Sequence, residues 1–290
     1  MTIAYFREEF MPLDGVHVSP LDRGYLLGDG VYEVIPVYAG RLFRIEAHLA
    51  RLNRSLVAVE IPNPFKTGEW RQLLEDLVAR NGDGDQSLYF QVTRGVAPRN
   101  HAFPDNVEPV VFAMSKMLPE RSAPAPLSAV TRPDNRWGRC DIKSIALLPN
   151  VLLRQQATAA GAGEAILSRD GFVTEGAASN VFVVHGDRVR TPPKSSRILA
   201  GVTRDVVVDL APGSGVTIDE VEIPEADLRT ADEIWVTSST MEISPVVKLD
   251  GQAVGSGAAG PVWAGIYEKF SRYKLAETDV RKDATARDRG

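Results

Sequence analysis

A proline-rich run at residues 119–126 most constrains how this chain can fold. The run reads P-E-R-S-A-P-A-P, and three prolines in eight residues predict a stiff linker between two domains. We therefore expect one domain at residues 1–118 and a larger one at residues 127–275, each long enough to bury a core of its own. The remaining residues, 276–290, are polar and predict a frayed tail.

The hydrophobic periodicity predicts helices and strands on both sides of this linker. Before it, strands are expected at 3–6, 16–18, 32–38, 87–94 and 109–115, and helices at 46–57 and 68–80, the latter with Thr67 as its cap. Between the second and third strands, the glycine-rich segment 19–33 is expected to be a structured loop. After the linker, strands are expected at 127–131, 164–168, 172–174, 180–185, 188–191, 233–237 and 246–249, and helices at 149–160, 201–210 and 261–273.

The composition and charge of the chain exclude several classes of function. A net charge of −5, without any cluster of basic residues, argues against binding to nucleic acid. No apolar run approaches the length needed to cross a membrane, and the N-terminus is charged too early for a signal peptide. The single cysteine, Cys140, cannot form an internal disulfide, which suits a reducing cytoplasm. We expect a cytoplasmic protein with no metal site.

The strongest chemical signal lies in residues 136–146, which read R-W-G-R-C-D-I-K-S-I-A. Lys143 lies between Ile142 and Ile145, in a segment predicted to be an extended strand that enters a core. An ammonium group in apolar surroundings loses hydration, and this favours the uncharged amine. Such an amine forms Schiff bases with carbonyl compounds. A lysine that points from a strand into solvent is the alternative interpretation of this stretch alone.

A second signal is the sequence Gly201-Val202-Thr203 at the start of a predicted helix. The free N–H groups and the positive dipole end of a helix suit a phosphate group, although a capping role explains the same residues. Glu175 lies in V-T-E-G-A-A-S-N, directly before small residues that allow other groups to approach closely. These segments predict a site for an anion and a nearby carboxylate.

Two polar loops complete the set of candidate residues. Arg99 and His101 lie in one loop with a single residue between them, and an arginine offers two parallel donors to a carboxylate. An ordinary surface loop with two polar residues is the alternative. Ser238, Ser239 and Thr240 follow a predicted strand and offer hydroxyl donors.

A reactive lysine, a phosphate site, a carboxylate and an anion-binding loop are the parts that pyridoxal phosphate chemistry needs. The chain resembles the D-amino acid aminotransferases among the fold-type IV pyridoxal phosphate enzymes, from about residue 4 to residue 273. This resemblance implies a smaller N-terminal α/β sandwich domain and a larger C-terminal pseudo-barrel domain. The matching motifs are D-R-G-Y-x-x-G-D-G-x-Y-E at 22–33, R-N-H at 99–101, R-C-D-I-K-S at 139–144, T-E at 174–175 and L-x-G-x-T-R at 199–204.

The resemblance also implies a role for each matching residue at the cofactor, pyridoxal 5′-phosphate. Lys143 would hold the cofactor and then move a proton between the substrate Cα and the cofactor C4′. Glu175 would pair with the pyridine nitrogen, and Leu199 would pack against one face of the ring. The implied phosphate ligands are Arg51, the N–H groups of Val202 and Thr203, and Ser239 or Thr240.

Two of these assignments rest on the resemblance alone. Arg51 by itself reads as a solvated arginine beside the apolar stripe of a helix. Met241 departs from the family pattern, so the choice between Ser239 and Thr240 stays open.

The resemblance further implies how the substrate is chosen. Tyr32, Arg99 and His101 would bind its α-carboxylate, with the arginine and histidine supplied by the other subunit of a homodimer. The expected reaction transfers the amino group of a D-amino acid to a 2-oxo acid through a pyridoxamine form, for example from D-alanine to 2-oxoglutarate. Trp137 would border the site, although a core tryptophan is an equal alternative.

Other activities remain open at this point. An L-branched-chain or (R)-amine transaminase has the same fold, and a lyase similar to those acting on aminodeoxychorismate is a further alternative. Branched-chain relatives and such lyases lack the R-N-H loop. A cofactor-binding protein without activity is the remaining alternative.

Overall fold

The computed structural model describes residues 2–118, 123–212 and 216–278. The predicted linker thus lies partly outside these ranges, as do residues 279–290 of the predicted tail. The strands before the linker are β1 (Ile3–Phe6), β2 (Glu9–Pro12), β3 (Gly30–Tyr38), β4 (Arg41–Leu42), β5 (Gln86–Thr93) and β6 (Val110–Met117). They form one antiparallel sheet in the order β2-β1-β6-β5-β3-β4.

Three helices accompany this first sheet, namely α1 (Arg23–Leu27), α2 (Ile45–Ala58) and α3 (Thr67–Arg80). Helices α2 and α3 cover one face of the sheet, because their apolar stripes and the inward residues of β3 and β5 form a common core. Leu52, Leu74 and Phe90 are fully buried there. Burying side chains of this size contributes roughly 1.5–3 kcal/mol each.

The second sheet is built after the linker, from β7 (Leu127–Pro133), β8 (Glu164–Arg169), β9 (Phe172–Gly176), β10 (Asn180–His185), β11 (Arg188–Thr191), β12 (Thr217–Glu220), β13 (Glu233–Ser238), β14 (Glu242–Leu249) and β15 (Gln252–Ala253). Its order is β12-β11-β10-β13-β14-β7-β8-β9, and β15 pairs with β14. Strand β7 runs parallel to both of its neighbours, while β10, β13 and β14 are antiparallel.

Three more helices, α4 (Leu148–Ala159), α5 (Val202–Leu210) and α6 (Pro261–Thr278), pack on this sheet. Helices α5 and α6 cover the face that carries Phe182 and Trp235. Phe43, from the chain before the linker, joins this core, and its ring centroid lies 6.0 Å from that of Phe270 in α6. The two sheets are therefore connected by packing as well as by the chain.

Much of the predicted secondary structure is confirmed. The strands at 180–185 and 188–191 have the predicted bounds, and the five apolar residues expected on one face of α3 are all buried. Pro36 lies near an edge, as its missing N–H requires, since β4 pairs only with the last two residues of β3. The domain boundary within 119–126 stays a prediction. Within the described ranges, none of the helices combines the length and apolarity that crossing a membrane requires.

Several predictions near the N-terminus were wrong. The second strand is β2, not residues 16–18, because Arg7 and Glu8 adopt positive φ angles of 47° and 70° and close a tight hairpin without glycine. The loop 19–33 contains the short helix α1, whose first turn is capped by the side chain of Asp22. Helix α3 begins at Thr67 rather than after it, so its cap is Lys66.

Three further predictions were wrong in the helices and around Lys143. Helix α6 continues to Thr278, past the predicted end at 273 and into the predicted tail. Val57, expected in the apolar stripe of α2, is 68% exposed, because α2 turns polar residues toward the sheet instead. Lys143 lies in a loop rather than a strand, since only its neighbour Ser144 forms a β-bridge, to Val31.

Candidate active site

The loop that carries Lys143 lies against the first residues of β3. The backbone N–H of Tyr32 donates to the carbonyl of Lys143 at 2.9 Å, and the N–H of Lys143 donates to Ser55 Oγ of α2 at 3.2 Å. The half-buried side chain places Nζ 4.2 Å from the centroid of the Tyr32 ring, within cation–π distance. The structure therefore brings Lys143 and Tyr32, both predicted site residues, into direct contact.

Arg51 is buried in α2 and forms a charged cluster with Glu33 of β3. Its Nε and Nη2 donate to the two carboxylate oxygens of Glu33 at 2.7 and 2.8 Å, and Nδ1 of His48 lies 2.8 Å from the same carboxylate. Burial alone would raise the pKa of Glu33, but Arg51 and His48 hold it far below its usual range. Burial lowers the pKa of His48. Arg51 is thus a fixed, charged group, and its local reading as a solvated helix arginine was wrong.

The same guanidinium connects this cluster to the start of α5. Nη1 of Arg51 donates to the carbonyl of Ala200 at 2.9 Å, next to Gly201, the N-cap of α5. The cap has no side-chain hydrogen bond, so the first N–H groups of the helix, including those of Val202 and Thr203, have no partner within the helix. Helix N-termini of this kind bind anions. Arg51, Val202 and Thr203 are therefore neighbours, as predicted.

Glu175 is buried at the end of β9 and accepts three hydrogen bonds. Oε2 accepts from Nδ2 of Asn180 and from the backbone N–H of Leu199, both at 3.0 Å, and Oε1 accepts from Nη1 of Arg136 at 2.5 Å. Burial raises the pKa of Glu175 to about 7, against the lowering effect of Arg136 and of the Leu199 N–H. Glu175 and Leu199, predicted separately, are thus directly bonded.

Asn180 also fixes the distance between Glu175 and α5. Its Nδ2 donates to the carbonyl of Leu199 at 2.8 Å. A Cβ atom on Gly201 would lie only 2.0 Å from Oδ1 of Asn180, so only glycine fits there without movement. This close approach gives the glycine a packing role that its sequence motif alone does not reveal.

Arg136 and Asp134 are two buried residues that sequence reasoning missed as site components. Nε and Nη2 of Arg136 donate to Asp134 at 2.9 and 2.8 Å, and the hydroxyl of Thr174 donates to Asp134 at 2.8 Å. Burial alone would raise the pKa of Asp134, but Arg136 and Thr174 hold it at about 2. The sequence P-D-N-R reads as an ordinary polar turn, so nothing in it indicated burial. Arg136 bridges Asp134 and Glu175.

The loop that carries Arg99 and His101 exposes both side chains, yet its backbone is firmly held. Nη1 of Arg23 donates to the carbonyl of Asn100 at 2.6 Å. The Arg94 guanidinium lies 3.6 Å from the centroid of the Phe103 ring. Asp29 accepts from both Arg23 and Arg94. The D-R-G-Y-x-x-G-D-G motif therefore supports the R-N-H loop, a function that the sequence alone did not indicate.

Ser239 and Thr240 lie in the turn 239–241 between β13 and β14. Ser238 Oγ accepts from the N–H of Met241 at 3.1 Å, which stabilises this turn. Whether Ser239 or Thr240 contacts a phosphate stays a prediction. Trp137 is 48% exposed, so the alternative of a core tryptophan was wrong. Within the described ranges, no group of three or more histidine, cysteine, aspartate or glutamate side chains is arranged to hold a metal ion.

Comparison with known proteins agrees with this geometry. Residues 30–249 match the sequence model of the amino-transferase class IV family, over about three quarters of the chain. The chain belongs to the class IV aminotransferases. A D-alanine aminotransferase from Bacillus licheniformis is 44% identical to this aminotransferase over 259 residues, which are 89% of this chain and 92% of that protein.

Solved structures agree on the fold of this aminotransferase. A branched-chain amino acid aminotransferase from Escherichia coli matches with a TM-score of 0.87 at 24% identity, covering 96% of both chains. A branched-chain amino acid aminotransferase of the T.th. strain, solved with pyridoxamine 5′-phosphate, matches with a TM-score of 0.85 at 25% identity and covers 96% of this chain and 95% of that one. The expected fold-type IV architecture is confirmed, and the family uses pyridoxal 5′-phosphate.

Proposed function

We propose that this protein is a D-amino acid aminotransferase, with D-alanine and 2-oxoglutarate as a natural substrate pair. The observation that carries this proposal is the R-N-H loop, whose exposed Arg99 and His101 are presented by a backbone held through Arg23 and Arg94. Relatives named D-alanine aminotransferase, 39–44% identical over most of the chain, support it. Their activity is the one that this loop suits.

The residues around Lys143 suit pyridoxal 5′-phosphate. They offer an amine, a buried carboxylate and a helix start with free N–H groups, and these match the aldehyde, ring nitrogen and phosphate of that cofactor. When bound, the cofactor supplies an electron-withdrawing ring that makes the substrate Cα–H acidic. We propose that Lys143 holds the cofactor through its amine and then takes and returns the proton at the substrate Cα.

Glu175 would bind the ring nitrogen. A carboxyl group whose pKa lies at about 7 shares a proton readily with a pyridine nitrogen near neutral pH. The bonds from Asn180, Leu199 and Arg136 hold Glu175 in one orientation, so no reorganisation is needed on binding. Leu199 would also pack against the ring.

The phosphate would be bound by Arg51, by the N–H groups of Val202 and Thr203, and by Ser239 or Thr240. A guanidinium has five N–H donors, and the bonds from Arg51 to Glu33 and Ala200 use three of them. An N–H of Nη1 can therefore donate to an anion while Glu33 keeps the group in place. Charge-assisted bonds of this type contribute roughly 1.5–3 kcal/mol each.

Tyr32, Arg99 and His101 would bind the substrate α-carboxylate. Arg99 and His101 would come from a second copy of the chain, which makes the active form a homodimer. Binding the carboxylate on one side fixes which enantiomer presents its Cα–H to Lys143. The alternative of an L-branched-chain aminotransferase is favoured by the solved structures only through the shared fold.

Steady-state kinetics of the Arg99→Ala and Arg99→Lys variants test this proposal. With D-alanine and 2-oxoglutarate, the wild-type protein should form pyruvate. Arg99→Ala should raise KM for D-alanine strongly while retaining bound cofactor, and Arg99→Lys should restore part of the loss because it keeps the charge. Absence of pyruvate formation by the wild type, or an unchanged KM in Arg99→Ala, would contradict the proposal.

A further inference from the structure

The turn 239–241 is followed by a glutamate with an unusual backbone. Glu242, the first residue of β14, has a φ angle of 55°, in the left-handed region that costs a non-glycine residue energy. It pairs with Ser238 and so closes the hairpin between β13 and β14. Glycine adopts this conformation most easily, so the presence of a glutamate indicates that its side chain has a function of its own.

The Glu242 carboxylate accepts three hydrogen bonds from two other elements. Oε1 accepts from the Tyr38 hydroxyl of β3 at 2.9 Å and from Lys274 Nζ of α6 at 2.6 Å. Oε2 accepts from the Tyr267 hydroxyl of α6 at 3.1 Å. Most of the carboxylate is shielded from water. The turn is therefore attached from outside to both the first sheet and the last helix.

The donors of this cluster are themselves well fixed. Burial, followed by the charge of Glu242, raises the pKa of Tyr38 far above its usual range and that of Tyr267 to about 12, so both hydroxyls remain protonated. The Tyr267 ring stacks on Trp263 at 5.2 Å, and Nε1 of Trp263 donates to the carbonyl of Ile243 at 2.9 Å. Helix α6 thus holds β14 both at Glu242 and at the following residue.

We infer that Glu242 is a positioning residue, which fixes the turn 239–241 and thereby the phosphate contact of Ser239 or Thr240. This inference rests on the proposed function, because it requires that the turn binds the cofactor phosphate. It assigns to α6 a role in cofactor retention, although the helix lies outside the cluster around Lys143. Loss of the Glu242 contacts should weaken binding of the phosphate end of the cofactor and leave binding of its ring unchanged.

The test compares two ligands that differ only in the phosphate. The full-length protein is freed of cofactor and titrated with pyridoxal 5′-phosphate and with pyridoxal, for the wild type and for Glu242→Gln. The matched control is Glu268→Gln, which removes an exposed carboxylate of α6 that pairs with Arg272. We expect Glu242→Gln to weaken pyridoxal 5′-phosphate binding about tenfold and to change pyridoxal binding by less than about twofold, with the control unchanged.

A second variant, Lys274→Met, keeps residue 242 intact and removes one donor, and it should show a smaller loss of the same kind if Glu242→Gln fails to fold. An equal loss for both ligands, or no loss in a well-folded variant, would overturn the inference. If the wild type itself binds both ligands equally, the proposed phosphate site is wrong. That result would refute the proposed function of the turn rather than the role of Glu242.

Discussion

The bond between Arg136 and Glu175 leads to a prediction about the pH dependence of stability. In the folded protein, burial raises the pKa of Glu175 from 4.5 to about 7 even though Arg136 opposes the rise. Between these two values the folded state binds more protons than the unfolded state. The free energy of unfolding therefore falls as pH rises from 4.5, and this contribution levels off above about 7. Its full size is about 3 kcal/mol.

The perturbation is Arg136→Met, which removes the positive charge and keeps an apolar side chain. Loss of an opposite charge at hydrogen-bonding distance raises the pKa of a carboxyl group by about 1–3 units, or about 1.4–4 kcal/mol. Glu175 is about three quarters ionised at pH 7.5 in the wild type and would be at most about one quarter ionised in the variant. The fall in stability should then continue well above pH 7.

The assay is urea unfolding of the cofactor-free protein between pH 5 and pH 9. The matched control is Arg169→Met, because Arg169 bonds to Asp134 and to the carbonyl of Arg136 rather than to Glu175. The Arg136→Met curve should keep falling above pH 7.5, whereas the wild-type and Arg169→Met curves flatten. Parallel curves for Arg136→Met and the wild type would show that Arg136 does not set the protonation of Glu175.

Three other variants have distinct expected results. Glu33→Ala leaves the buried Arg51 without its carboxylate, so urea unfolding should show a loss of about 3–5 kcal/mol; a loss below about 1 kcal/mol would contradict the cluster. Gly201→Ala drives its Cβ against Asn180 and should cost about 1–3 kcal/mol in thermal unfolding, while unchanged stability would mean that the two elements move apart freely. Arg99→Ala should leave stability within about 0.5 kcal/mol of the wild type in the same assay, because the side chain is exposed.

The sequence predicted the secondary structure well where hydrophobic periodicity decides it. Helix α3 and the strands β10 and β11 follow from the pattern of apolar residues. The hairpin between β1 and β2 was missed because Arg7 and Glu8 adopt the positive φ angles that usually indicate glycine or asparagine. Local pattern carries no information about such an exception, which the tertiary structure enforces.

The site was predicted in its parts but not in its connections. Lys143, Glu175 and the start of α5 stand out through residue type and motif. The partners that hold them do not, because the burial of Asp134 and Arg136 depends on strands distant in the sequence. Arg51 shows the same limit, since only its contact with Glu33 distinguishes it from a solvated arginine.

The central claim is that this class IV aminotransferase acts on D-amino acids. The most direct measurement follows the visible absorption of the purified, cofactor-loaded protein after addition of D-alanine and, separately, of L-leucine, without a 2-oxo acid. The account predicts rapid loss of the visible band with D-alanine and little change with L-leucine. A rapid response to L-leucine and none to D-alanine would contradict it, because Arg99 and His101 would then not hold the substrate carboxylate.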